Sequence, residues 1–266
     1  MNVFLRELRA HRTALIFWCI GMFAMVGSGM GKYAAYESSG TSVNTLVRQL
    51  PRAVQIILGM GSFDLSKAIG FYGVLYLYLI VMATIHAAVL GAEIISKEER
   101  DRTSEFLFAK PVPRTKVITA KLLAALANMI VLNLVTLVSS IWVVDYYNKG
   151  GRPVTGDIVA LMAGMFFLQL IFLSIGMSIA AIRKKPKSAA SIATAVLLAT
   201  FILSVAIDIN NKLEFLKYLT PFKYFDAQDI LPDGRLDLGY VALSGGIIIV
   251  LLAVTYRFYA KRDLSI

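Results

Sequence analysis

Residues 158–182 read IVALMAGMFFLQLIFLSIGMSIAAI. These 25 residues contain no Asp, Glu, Lys or Arg, and one amide, Gln169. A helix needs roughly 20 apolar residues to cross about 30 Å of hydrocarbon, so this stretch is long enough to span a membrane. Working outward from it, five more uncharged runs qualify: 13–30, 71–92, 122–144, 189–207 and 240–256. Lipid offers no partner to backbone N–H and C=O groups, so each run must be helical. The ten-residue alternation of a membrane barrel is absent. The pattern predicts an all-α integral membrane protein, one transmembrane domain over residues 1–266 with six transmembrane helices.

Composition agrees. Of 266 residues 58% are hydrophobic and 17% charged, against roughly 25% charged in globular chains, and the mean hydropathy is +0.69. The formal net charge of +10 would suit nucleic acid or an anionic surface, and the placement of the charges decides between them. With six spans both termini share one side. That side carries Arg6, Arg9 and Arg12, seven Lys/Arg between the second and third spans, Arg183, Lys184, Lys185 and Lys187, and Arg257, Lys261 and Arg262. These make 17 of the 27 Lys and Arg, leaving ten for the other side despite its longer loops. The positive-inside bias makes both termini cytoplasmic. The charge is an orientation signal, so no nucleic acid is expected. The first run is too long for a typical signal peptide and has no clear cleavage site, so it is read as an anchor. Cys19, the only cysteine, excludes an internal disulfide.

The segment before the first run, NVFLRELRAHR, sets Phe4, Leu5 and Leu8 at helical spacing among Arg6, Arg9 and Arg12. That suits a short N-terminal helix in the cytoplasmic interface, near the bilayer's headgroups, or else a tail without structure. The largest cytoplasmic feature is EIISKEERDRTSEFLFAKPVPRTK, residues 93–116. Ser96 to Leu107 has good helix formers, with Glu98/Arg102 and Asp101/Glu105 at i,i+4. Phe106 and Leu107 give such a helix an apolar end, and Pro111 and Pro113 stop it before the third span. Residues 96–113 then read either as a docking helix lying along the membrane or as a solvated connecting loop.

The order of residues here resembles the cytoplasmic loop of the ABC-2 permease family, the membrane subunits of type V ABC exporters. That loop runs from an acidic residue through Gly-Thr, a Leu-Leu pair, Pro and Arg to a Lys opening the next span. Glu98 or Glu99, Thr103, Phe106 with Leu107, Pro111 or Pro113, Arg114 and Lys121 stand at the matching positions, and Arg102 replaces the usual Gly. LKYLTPFKYFD, residues 216–226, is similar to the family's Leu-x-Pro-Phe element between the last two spans. In the resemblance, Leu219, Pro221, Phe222, Tyr224 and Phe225 form an outer gate element within a re-entrant segment over about 209–238, its short helices dipping back toward lipid. The resemblance covers the whole chain. It implies a coupling helix in which Glu98, Glu99, Arg102, Thr103, Glu105, Phe106, Leu107 and Arg114 meet a separate ABC ATPase. Two copies of that subunit would carry the ATP and Mg, with no cofactor or metal in this chain and no catalytic residue. It also implies pairing with a second copy or a paralogue, in a prokaryotic cell membrane. The implied function is ATP-driven export of an amphipathic peptide, an antibiotic or a lipid-like molecule.

Other features admit bland readings. GSGMGK, residues 27–32, has Val26 and Tyr33 where a Walker A motif needs Gly and Ser or Thr. Gly27 and Gly31 are better read as a close helix-packing face. Glu98-Glu99 recurs in intramembrane metalloproteases, but Thr103 stands where those enzymes have Arg. A secondary transporter would show inverted repeats and spans broken by Gly or Pro, and no span here contains Pro. His86 and Glu93 share a face of the second span with Lys97 beyond them, and they either line a path or pack and snorkel. Asn128, Asn133 and Gln169 read as interhelical donors, and Ser191, Ala195 and Ala199 as a small-residue contact stripe.

Overall fold

The computed structural model describes the chain except residues 1–2, 39–42, 61–62, 101–112, 150, 184–187 and 262–266, and the side chains of Ser38, Glu98, Glu99, Arg100 and Asn211. The described residues are mostly helical, with no strand among them. Six helices are long and apolar enough to cross a membrane: α1 (Val3–Ser38), α4 (Ala68–Arg100), α5 (Arg114–Tyr147), α6 (Thr155–Ile182), α7 (Ala189–Ile209) and α9 (Leu238–Lys261). Short helices α2 (Val43–Arg48) and α3 (Arg52–Ile57) join α1 to α4. Between α7 and α9 lie two 3-10 helices, Asn211–Leu219 and Pro221–Tyr224, and α8 (Ala227–Asp233). All of these connections lie at the end of the bundle away from the termini.

Helices α4 and α6 form the centre and pack most extensively on each other. Around them α1 lies against α5, α9 against α6, and α7 against α4. The centre is close-packed because Gly91 and Gly176 bring two backbones together, an approach common between membrane helices. Gly27 and Gly31 do not serve that purpose within this chain, since a Cβ on either meets nothing within 4 Å. Gly29, between them, faces Leu75 instead. A residue placed two further along a helix points about 200° away, so the expected face is turned from its neighbour. Ser191, Ala195 and Ala199 likewise form an exposed stripe, because α7 uses Ala189, Ala193 and Leu197 to reach the core.

Buried polar groups tie the helices together in a lipid-like interior where each needs a partner. Tyr72 donates to Ser140 Oγ at 2.7 Å and Tyr76 to the Leu161 carbonyl at 2.9 Å. Asn133 Nδ2 donates to Gln169 Oε1, and Gln169 Nε2 to the Ala83 carbonyl at 3.2 Å. This chain of bonds joins α5, α6 and α4. Asn128 instead donates to Ala124 of its own helix.

The N-terminal segment is not a separate interfacial helix. Val3–Ser38 is one helix of 36 residues, because nothing before Gly21 in that span is Gly or Pro. At 1.5 Å per residue it is about 54 Å long, well beyond the hydrocarbon thickness. Its first turns therefore continue along the axis of the span.

Of the aromatic side chains in the 210–237 segment, Phe222, Tyr224 and Phe225 point into protein, while Phe215 and Tyr218 are exposed. Phe222 sits between Phe172 and Phe201, at 5.4 and 5.3 Å between ring centroids. Phe225 stacks on Phe167 at 5.9 Å, and Tyr224 on Tyr240 at 5.0 Å. Pro221 is buried, while Leu219 is 65% exposed. Backbone that is not α-helical is tolerated at depth only against protein or water, which explains the inward turn. Gly234, with φ of 63°, terminates α8 in the left-handed conformation that favours glycine.

Candidate functional site

Three helices overhang their apolar runs at the same end, the end of the termini. Helix α1 contributes residues 3–12, α4 residues 93–100, and α5 residues 114–121. These ends carry the charges that the spans exclude, and they flank both ends of the 101–112 segment. The last residues of α4, which the sequence assigns to the cytoplasmic segment from Ser96 onward, continue the span without a break through Arg100.

At the centre of this stub is Glu7, whose side chain is fully buried. Its Oε1 lies 2.8 Å from Arg6 Nη2. Its Oε2 lies 3.8 Å from Lys97 Nζ and 3.9 Å from His11 Nε2. The Lys97 contact crosses from α4 to α1. Lys121, also fully buried, donates from Nζ to the Ile94 carbonyl and so fastens the start of α5 to the end of α4. Glu93 and Lys121 lie within electrostatic reach of His11. A buried carboxylate is retained at such a place only with cations around it, since an unpaired buried charge is costly. The stub is thus a charge-locked junction of α1, α4 and α5.

Sequence reasoning missed Glu7. It is the one acid in a run of four basic or titratable side chains, Arg6, Arg9, His11 and Arg12. That pattern was a signal, but its partner Lys97 is 90 residues away and nothing local points to it. Lys121 was assigned only a place opening the third span, and its burial comes from the helix crossing.

Among the sequence-predicted site residues, Arg114 opens α5 just after Pro113 at the N-cap, and its Nη1 donates to the Ala260 carbonyl of α9 at 3.2 Å. Thr119 and Tyr256 add a 2.8 Å contact between the same two helices. Arg102, Thr103, Glu105, Phe106 and Leu107 lie outside the described residues, as do the side chains of Glu98 and Glu99. His86 and Glu93 both lie on α4 but in different settings. His86 is buried, with its ring edge-on to Trp18 of α1 at 5.3 Å, and Glu93 is half-buried beside the charged stub.

Continuous apolar helices around a dense α4–α6 centre, with charge gathered at the helix ends, define a multi-pass α-helical membrane protein. Over residues 1–264 the chain matches the ABC-2 family transporter proteins, and it belongs to that family. It is accordingly an ABC permease, a transport subunit of a kind that generally pairs with ATPase subunits. No curated protein matches the chain.

Proposed function

We propose that this chain is the membrane half of an ATP-driven exporter. Two permease chains, identical or paralogous, pair around a path in the cell membrane with their termini in the cytoplasm. Two copies of a separate ATP-binding subunit, which carry the ATP and Mg, dock on residues 96–113. ATP binding closes the ATPase pair, and its motion enters the bundle through that segment. The observation that supports this reading is the charge-locked stub. Its two outgoing ends, Arg100 and Arg114, bracket residues 101–113 of that segment, and Lys97 and Lys121 fix those ends to α1 and to each other. A push on the segment therefore moves three spans as a unit instead of fraying one loop. An amphipathic peptide, an antibiotic or a lipid-like molecule suits the small connections and apolar spans better than a long hydrophilic polymer.

The test is to reverse the docking face. Glu98→Lys with Glu99→Lys and Glu105→Lys changes its sign, and Phe106→Ala with Leu107→Ala removes its apolar anchors. Loss of a buried interfacial charge typically costs about 2–5 kcal/mol, so the triple variant should hold the ATPase about tenfold more weakly or worse. A complex that still forms should hydrolyse ATP without moving substrate. Normal co-purification and normal transport in both variants would make residues 96–113 an ordinary loop.

A further inference from the structure

At the end of the bundle away from the termini, the 210–237 segment separates two cavities of very different size. On its outer side, beside Tyr240, is a crevice of about 780 Å³, within the roughly 300–1,000 Å³ common for small-molecule sites. Behind it is a pocket of about 50 Å³, far below that range. Phe201, Phe222 and Phe225 wall the pocket, together with Gly73, Tyr76 and Ile80 of the central helix α4. Asp208 and Gln228 face both spaces. The partition between them is therefore one residue thick at Asp208.

Two polar contacts tie this partition to α7. Thr220, fully buried, donates from Oγ1 to the Thr200 carbonyl at 2.8 Å. Nearer the crevice, Lys223 Nζ bridges Asp208, in the last turn of α7, at 2.5 Å and Asp226, at the N-cap of α8, at 2.7 Å. The Asp226 bond is local, three residues along the chain. The Asp208 bond alone joins Lys223 to a span, and it fixes the backbone on which the neighbouring Phe222 and nearby Phe225 are mounted. With the ammonium gone, Asp208 and Asp226 would face each other as like charges, and attraction would turn to repulsion. Lys223 also lines the crevice, so its charges can be rehydrated when they part. An ion pair at the edge of water adds little as a permanent anchor for that reason. It suits a contact that parts and re-forms.

We propose that Lys223 is the latch of an outer exit. Paired with Asp208, it holds Phe222 and Phe225 over the pocket. Parted from Asp208, it releases the two rings, and crevice and pocket join into one passage that reaches α4. Lys223 is a positioning residue, acting through the rings beside it. The latch rests on the export reading for its purpose, but its test needs neither cargo nor the ATPase.

The experiment is thiol accessibility in the full chain in nanodiscs, carrying Cys19→Ser and Ser204→Cys. Ser204 is buried and lines the pocket from α7, and the probe is a water-soluble trimethylammonium methanethiosulfonate. The Ser204→Cys thiol should react slowly in this parent. Adding Lys223→Met or Asp208→Asn should speed it about tenfold or more, because the reaction follows the locally open population. Lys223→Arg keeps the charge and the reach to both carboxylates, and should stay near the parent rate. Ser174→Cys, placed instead at a buried position in the bundle centre, should stay unreactive with each of these changes. An unchanged Ser204→Cys rate with Lys223→Met or with Asp208→Asn would overturn the latch. So would a Lys223→Arg rate as high as that of Lys223→Met, or a matching rise at Ser174→Cys, which would make the contact a general brace of the fold. Any of these failures leaves the docking of an ATPase on residues 96–113 untouched, since co-purification tests that separately.

Discussion

Gly91 of α4 and Gly176 of α6 face one another across the centre of the bundle. A Cβ on Gly91 would stand 2.3 Å from the Leu173 carbonyl oxygen, and one on Gly176 would stand 2.3 Å from the Ala88 carbonyl oxygen. Both obstacles are backbone, which cannot swing aside as a side chain can. Gly91→Ala or Gly176→Ala should therefore lower the stability of the purified chain by about 1–3 kcal/mol, the usual cost of overpacking. Gly27→Ala should change it little, because its site is open. Thermal unfolding in detergent distinguishes the two kinds of glycine.

The buried Glu7 should matter more than its place near the chain start implies. Its partners Arg6 and Lys97 are about one-third exposed and can turn to water when it is removed. Glu7→Ala should therefore cost about 1.5–3 kcal/mol, the range for hydrogen bonds to charged groups. Glu7→Lys should cost more. Combining Glu7→Lys with Lys97→Glu should recover part of the loss, and the recovery measures the cross-helix pair itself.

Asp64 organises the connection between α3 and α4. It accepts from Asn44 Nδ2 at 2.8 Å and from the Ser66 amide at 3.2 Å, while the Leu65 amide donates to Asn44 Oδ1 at 3.0 Å. The Asn44 bond, first among several contacts, holds the Asp64 carboxyl below its ordinary value of 3.8. A depressed folded-state value stabilises the fold fully above the ordinary one, and the gain fades as pH falls through the folded value. Hydrogen exchange of the peptide containing Leu65 and Ser66, corrected for intrinsic rates, should show protection lost below about pH 4. Asn44→Ala should start that loss at higher pH.

Orientation can be read by labelling. In a Cys19→Ser background, Gln228→Cys should react with an impermeant thiol reagent in intact cells. Ser188→Cys should react only after permeabilisation. The opposite pattern would place the termini outside and remove residues 96–113 from any cytoplasmic ATPase.

His86 and Glu93 make separate tests of a path along α4. His86→Ala and Glu93→Gln should each lower transport while leaving assembly with the ATPase intact. Since His86 packs on Trp18, His86→Phe should preserve packing but not a path role. Normal transport in His86→Phe would assign the histidine to packing alone.

What the sequence determined by itself was the solvent of each segment. Uninterrupted apolar runs such as 158–182 can be satisfied only as membrane helices, so six spans, their order and the concentration of charge at one end followed from composition along the chain. The order of residues from Glu98 to Lys121 was legible for the same reason, as a local pattern. What only the tertiary structure decided was which face of each helix meets which neighbour. A run apolar all round carries little periodic signal, so nothing local separates Gly29 from Gly27 and Gly31, or turns Phe222 inward to Phe172 and Phe201. Glu7 and Lys97, 90 residues apart, become an ion pair only because α1 and α4 cross beyond the apolar zone. The crevice around Tyr240 exists only because the 210–237 segment folds back on the bundle. In lipid, hydrophobicity sets which residues are buried in the membrane, while close packing and pairing of the few polar groups set which residues meet.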